Sequence, residues 1–145
     1  MSLPSKKNVD ISKAVQTRFK AITAGVDYNY AYANVYLNME SPITSGINIT
    51  CGDEEPLFAD TSETLQHCKT SITIDVIEND ESTREVDKQV ADLLKSIGTD
   101  ITWSGLAYNT THINTYSNVL NQQGEKIANR RIEIEVQYQK NKWSN

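Results

Sequence analysis

Residues 70–98 read Thr70-Ser71-Ile72-Thr73-Ile74-Asp75-Val76-Ile77-Glu78, then Asn79-Asp80-Glu81, then Ser82-Thr83-Arg84-Glu85-Val86-Asp87-Lys88-Gln89-Val90-Ala91-Asp92-Leu93-Leu94-Lys95-Ser96-Ile97-Gly98. The hydrophobic period changes within this stretch. Ile72, Ile74 and Val76 alternate by two, which predicts a strand with one apolar face. Val86, Val90, Leu93, Leu94 and Ile97 then recur at helical spacing. Ser82-Thr83-Arg84-Glu85 has the form of a capping box, and Gly98 is a natural C′ residue. A helix from about Thr83 to Ile97 following a strand is the core of an α+β layer fold.

The same two periods extend outward. Ile132, Ile134, Val136 and Tyr138 face one way and Arg131, Glu133, Glu135 and Gln137 the other, which predicts a final strand. Ile47, Ile49 and Cys51 give an earlier strand. Ile11, Val15, Phe19 and Ile22 give a first helix from about Asp10 to Thr23, capped by Asn8 or Asp10 and stopped at Gly25. Between them Tyr28, Tyr30, Tyr32 and Tyr36 share one parity, while Ala31, Ala33, Val35 and Leu37 share the other. That alternation predicts a tyrosine-faced strand, ended by Ser41-Pro42. After the second helix, Asp100 to Ser117 reads as polar and β-rich, and residues 118–125 as a loop around Gln123-Gly124. The element order is α-β-β-β-α-β-β: a mostly antiparallel or mixed sheet of about five strands with two helices on one face. Residues 1–8 read as a flexible N-terminal tail. A single α+β domain follows at 9–139 with an acidic loop at 52–66, and 140–145 forms a C-terminal tail.

The chain of 145 residues carries 14 Lys and Arg against 19 Asp and Glu, a formal charge of −5. This balance disfavours sequence-specific or general duplex binding, which draws its affinity from basic contacts to phosphate. No apolar run approaches the ~18 residues of a membrane span, and no apolar stretch follows Lys6-Lys7 to make a secretory signal. The charge is unevenly placed. Residues 1–20 sum to +4, 53–63 to −5, 75–87 to −5 and 126–145 to +3. Such polarity is either a solvated surface or a pair of complementary faces that meet between subunits.

Motifs for chemistry are absent from the sequence. Cys51 and Cys68 flank the acidic loop, and whether they pair stays open. With His67 they match no zinc spacing. Asp53-Glu54-Glu55 lacks the ligand spacing of a calcium loop, and the glycines form no phosphate cradle. The expectation is no enzyme, no catalytic residue, no cofactor and no metal. The tyrosine stripe reads as a half-buried strand, a protein interface or a base-stacking platform; residues 21–39 hold no Lys or Arg to support the last.

Several parts together resemble the small phage tail-terminator or tail-completion proteins, minor tail proteins that form rings. They are the first helix ending Phe19-Lys20-Ala21-Ile22, the tyrosine-rich strand before Ser41-Pro42 and the strand-loop-strand from Ile47 to Val76. The helix bearing Ala91-Asp92-Leu93-Leu94 and the closing Arg130-Arg131-Ile132-Glu133-Ile134-Glu135-Val136-Gln137-Tyr138 complete the likeness, over residues 9–139. The resemblance implies a structural virion protein and no catalysis. It implies a ring, in that family usually a hexamer, at the end of the tail tube, which stops tube polymerisation and offers a head-joining surface. Its partners are then itself, the tail-tube protein and neck or head-completion proteins, with no membrane, and DNA passing through the lumen. Its location is the virion tail, with the host cytoplasm during assembly. Interface candidates are Tyr28, Tyr30, Tyr32, Tyr36, Asp53, Glu54, Glu55, Arg130 and Arg131. One alternative is a neck, head-completion or other minor tail subunit of similar fold. Another is a small ligand-binding domain or enzyme of cystatin or nuclear-transport-factor type, with His112, Tyr116 and Trp103 around a pocket.

Overall fold

The apolar stripes read above do build two helices and a sheet. The computed structural model describes residues 7–37, 46–57, 65–78, 83–122 and 125–141. Within these the order is α1 (Lys7–Lys20), β1 (Val35–Leu37), β2 (Gly46–Pro56), β3 (Leu65–Glu78), α2 (Thr83–Thr99), β4 (Asn109–Gln122) and β5 (Glu125–Asn141). The strands form one mixed sheet in the order β1-β2-β3-β5-β4. Only β1 and β2 run parallel; the other neighbours are antiparallel. Expectations at Ser41-Pro42, the Ser82 cap, the Gln123-Gly124 tip and the extreme tails lie outside the described residues.

Alternation puts Ile47 and Ile49 of β2, Ile72, Ile74 and Val76 of β3, and Ile132, Ile134, Val136 and Tyr138 of β5 on one face, all buried. Both helices lie on that face. α1 packs on β1 and β2, α2 on β3 and β5, and the helices touch each other. Ile11, Val15 and Phe19 from α1 and Val86, Leu93 and Ile97 from α2 join the sheet residues in one core. Burying nine large aliphatic or aromatic sheet side chains under two stripes is the main source of stability.

Several boundaries differ from the sequence reading, each for a physical reason. α1 begins at Lys7, so Lys7 and Asn8 of the expected tail are helical; Lys7 Nζ donates to the carbonyl of Gln139 across the fold at 2.6 Å. β5 runs through Lys140 to Asn141, into the expected C-terminal tail. Residues 118–122 and Glu125 of the expected loop are strand, because β4 and β5 stay in register from Asn118↔Asn129 to Gln122↔Glu125. Gly98 lies inside α2. The helix is stopped instead by Asp100, whose Oδ1 accepts from the N–H and hydroxyl of Thr102 and whose Oδ2 accepts from Ser104 N. These bonds hold Trp103, Ser104 and Gly105 at positive φ of 53°, 60° and 90°. The two non-glycines there are unusual and are fixed from both sides: Trp103 is fully buried and its Nε1 donates to Thr110 Oγ1 at 2.9 Å.

The acidic loop is also shorter than expected. Residues 52–56 belong to β2, and Leu57 N still donates to His67 O at 3.0 Å. A bulge separates the pairs Cys51↔Ile72 and Glu54↔Thr70, with two residues, Gly52 and Asp53, against one, Ser71. Gly52 permits it: a Cβ there would sit 3.0 Å from Ser71 O. Its carbonyl accepts from Thr70 Oγ1 and Asn8 Nδ2. A bulge of one residue reverses the faces of everything beyond it. Simple alternation from Ile47 would turn Asp53 and Glu55 inward; the bulge turns Glu54 inward.

Candidate functional site

The tyrosine segment is the largest departure from expectation. Only Val35–Leu37 pairs as a strand, and residues 21–34 are irregular. The cause is Asp92 of α2, a buried carboxylate. It accepts from Asn29 N, Asn29 Nδ2, Tyr30 N and the Tyr32 hydroxyl, all at 2.7–3.1 Å. Two backbone N–H groups that a strand ladder would use are thereby drawn to a side chain. Tyr32 is buried, and burial with the Asp92 bond pushes its phenol well above the ordinary value. Tyr30 meets Tyr32 edge to face at 6.5 Å, and Tyr28 lies under Lys95 Nζ at 5.3 Å. Tyr28 and Tyr30 are half-buried against the core, and Tyr36 is half-buried on β1. The four tyrosines do not form one exposed stripe.

The acidic and basic segments meet within the subunit. Glu54 bonds the hydroxyl of buried Tyr138 and the ammonium of Lys140. Arg130 Nε reaches Asp87 Oδ1 of α2 at 2.9 Å, and Arg131 clasps Asp75 at 2.7 and 3.3 Å. The Asp75 bond holds the Arg131 guanidinium more firmly protonated than usual. Lys69 bridges Glu55 and Glu135 at 3.9 and 3.5 Å. Arg130 and Arg131 point to opposite faces of the sheet, since Arg130 pairs with core-facing Val76 and Arg131 with Asp75. Of the three acidic interface candidates, Glu54 and Glu55 pair with Lys140 and Lys69, and Asp53 is exposed at the bulge. Parts of the complementary segments are therefore paired within the subunit.

What the structure leaves uncovered is the other face of the sheet. It presents Asn48 and Thr50, Thr73, Ser71 and Lys69, Glu133, Glu135 and Gln137, and Asn114 and Tyr116, none of them buried. At one end of that face Asp75, Ile77 and Asn129 are buried, Asp75 beneath Arg131. β4 lies at one margin of the sheet. A second bulge at Ile113, between His112↔Ile134 and Asn114↔Glu133, leaves that side chain 55% exposed. Tyr108 and Tyr116 beside it are also exposed large side chains. His67 Nδ1 and the Tyr108 hydroxyl are 3.3 Å apart, and Tyr116 donates to Glu133 at 3.0 Å.

The residues proposed for a ligand pocket do not converge. Trp103 is buried in the core, His112 bonds Thr115 on the helix side of β4, and Tyr116 lies on the uncovered face. A groove of ≈ 320 Å³ does exist elsewhere, between Tyr30–Asn34, Gly46, Ile47, Glu78, Glu85 and Gln89. Its Gln89 Nε2 donates to Glu78 Oε1 at 2.9 Å. Among the described residues no three His, Cys, Asp or Glu side chains cluster as metal ligands. Cys51 faces Ile72 across the ladder and Cys68 faces Pro56; burial raises the Cys51 thiol above its ordinary value. No helix of the described residues is long and apolar enough to cross a membrane. No protein-family profile matches the chain, and no curated protein matches it.

Proposed function

We propose that the protein is a structural subunit of a phage tail, a terminator that forms a ring on the end of the tail tube, ends its polymerisation and provides the surface for joining the head. The observation that carries this reading is a sheet with helices on one face only, whose open face and β4 margin expose polar and aromatic side chains. A monomer can leave such a face to water, and a ring subunit can use it for packing against its neighbour. The order of elements agrees with the resemblance drawn from the sequence. Among the described residues the β4–β5 ladder continues three pairs beyond the last β3–β5 pair, Glu78↔Ala128. Such an arm suits contact with a tube or a neck.

Electron micrographs of particles assembled without the protein test the assignment. Overlong tails support a terminator. Finished tails of normal length without heads assign it to the neck instead. Normal, head-bearing virions overturn both. Purified protein should also bind the ends of isolated tail tubes, and binding along tube walls or not at all counts against the role.

A further inference from the structure

Soluble sheet proteins guard their margins with charge or proline, because an edge strand offers unpaired N–H and C=O groups to any other strand. This sheet has a short β1 edge and a bulge in β4, but neither margin carries charge or proline among the described residues. β4 is an edge strand of 14 residues, Asn109-Thr110-Thr111-His112-Ile113-Asn114-Thr115-Tyr116-Ser117-Asn118-Val119-Leu120-Asn121-Gln122, with no Lys, Arg, Asp, Glu or Pro. The opposite margin is β1 with the chain leading into it, Tyr28-Asn29-Tyr30-Ala31-Tyr32-Ala33-Asn34-Val35-Tyr36-Leu37, which also has none. The charge lies inside the sheet. β2 has Asp53, Glu54 and Glu55; β3 has Lys69, Asp75 and Glu78; β5 has seven charged residues, from Glu125 to Lys140.

We infer that the β4 edge of one copy pairs with the Ala31–Leu37 edge of the next, joining the sheets of neighbouring subunits head to tail. The occupant is a second copy because the two uncharged margins lie on opposite sides of one sheet in the same chain. That is the geometry of a heterologous contact, which closes into a ring when the rotation allows. Strand addition gains main-chain hydrogen bonds, and a neutral edge meets a neutral edge without burying a charge. The β1 side is prepared for it. Ile47 N donates to Asn34 O, so the carbonyl of Val35 faces away from β2. Gln16 Nε2 donates to it at 2.8 Å. That amide caps the outward carbonyl in the subunit, and pairing with an incoming strand requires its N–H to replace the Gln16 amide. Ala31 and Ala33 are exposed and small enough to let a strand approach. This inference deepens the ring reading and rests on it for closure of the array.

The test uses the full chain and two edge-blocked variants. One carries Thr111→Lys and Ile113→Lys, the other Ala31→Lys and Ala33→Lys. All four positions are exposed, so both variants should keep the wild-type circular dichroism and melting temperature. Thr111→Ser with Ala33→Ser is the control that keeps both edges neutral. Sedimentation velocity across concentration, with and without tail tubes, should show wild type and control self-associating. Each lysine variant alone should associate ~100-fold more weakly. Mixed together, the two variants should form a heterodimer and nothing larger, since one intact pair of edges remains between them. The proposal is overturned by a wild type that stays monomeric under all conditions, by lysine variants that assemble like wild type, or by a mixture that stays monomeric while wild type assembles. Dimerisation of the Ala31→Lys, Ala33→Lys variant alone would mean that β4 pairs with itself, and overturns it too. Failure of the terminator role is read separately. Edge pairing without any effect on tail length removes the role and keeps the pairing. Tube capping that ignores all four lysines keeps the role and removes the pairing.

Discussion

The guanidinium of Arg18 lies on the indole of Trp103, its Cζ 4.0 Å from the ring centroid, and ties the end of α1 to the turn that follows α2. The same guanidinium donates to the carbonyl of Asp100 at 2.5 Å and approaches its Oδ2 at 3.4 Å. One side chain thus holds two elements, 82 residues apart in sequence, through a stacked face and a charged edge. Arg18→Lys keeps the charge and loses the planar stack and the fork. It should cost about 1–2 kcal/mol in urea unfolding. An effect within a few tenths would show that the stack contributes nothing.

Asp100 is the acceptor of that turn. Bonds from the Thr102 hydroxyl, Ser104 N and Thr102 N, in that order of effect, hold its carboxyl down to about 2 from 3.8. A depressed folded pKa means stability that is present above 3.8 and is lost as pH falls toward about 2. Carbon-detected titration should find the Asp100 carboxyl still ionised at pH 3. Asp100→Asn should flatten the acid limb of the stability curve in that window and leave its slope at neutral pH unchanged. A measured value near 4 would mean that the turn is open in solution.

Asp92 fastens the tyrosine segment to α2. Asp92→Ala strands Asn29 N, Tyr30 N and the Tyr32 hydroxyl, and should destabilise by about 2–4 kcal/mol. A purely global effect would not distinguish its cause, so exchange of the Asn29 and Tyr30 amides is the sharper measurement. Both should exchange faster in Asp92→Asn under native conditions, while amides of β3 do not. Equal protection in the variant would mean that the segment holds itself.

Leu93 tests the register of α2. It is fully buried at the centre of that helix's stripe. Leu93→Ala should cost ~2–5 kcal/mol, the range for a large-to-small change in a well-packed core. A change under about 0.5 kcal/mol would match a surface site instead.

Both helices and the inner strands were legible because their signal is local. Ile11, Val15, Phe19 and Ile22 repeat every three or four residues whatever surrounds them, and Ile72, Ile74 and Val76 every two. The tyrosine segment misled because alternation describes any extended chain, paired or not. What decides there is Asp92, 60 or more residues away, and its competition for two N–H groups cannot be read from residues 28–36. The Gly52 bulge is hidden for a related reason. A glycine before three acidic residues looks like the start of a loop, and only the ladder with β3 shows that it continues the strand with the faces exchanged. The segment sums of charge were correct as sums. Their meaning changed once Lys140 met Glu54 and Arg130 met Asp87 in one subunit. The neutral margins were present in the sequence all along, but become informative only when the strand order shows which segments are edges.

The acidic trio of β2 therefore separates into unequal parts, and this gives the last prediction. Glu54 is turned toward Tyr138 and Lys140, both largely buried, and its carboxylate raises the Tyr138 phenol beyond what burial alone does. Glu54→Lys places a second ammonium against Lys140 and removes the acceptor of the Tyr138 hydroxyl. It should destabilise the monomer by about 2–4 kcal/mol, with Glu54→Gln less severe because a carbonyl acceptor remains. Asp53 is exposed at the bulge, and Asp53→Lys should stay within about 0.5 kcal/mol of wild type. Chemical denaturation of the three variants decides the matter. If Asp53→Lys costs as much as Glu54→Lys, the bulge does not set the faces of β2 as described, and if it costs more, simple alternation from Ile47 through Glu55 is restored.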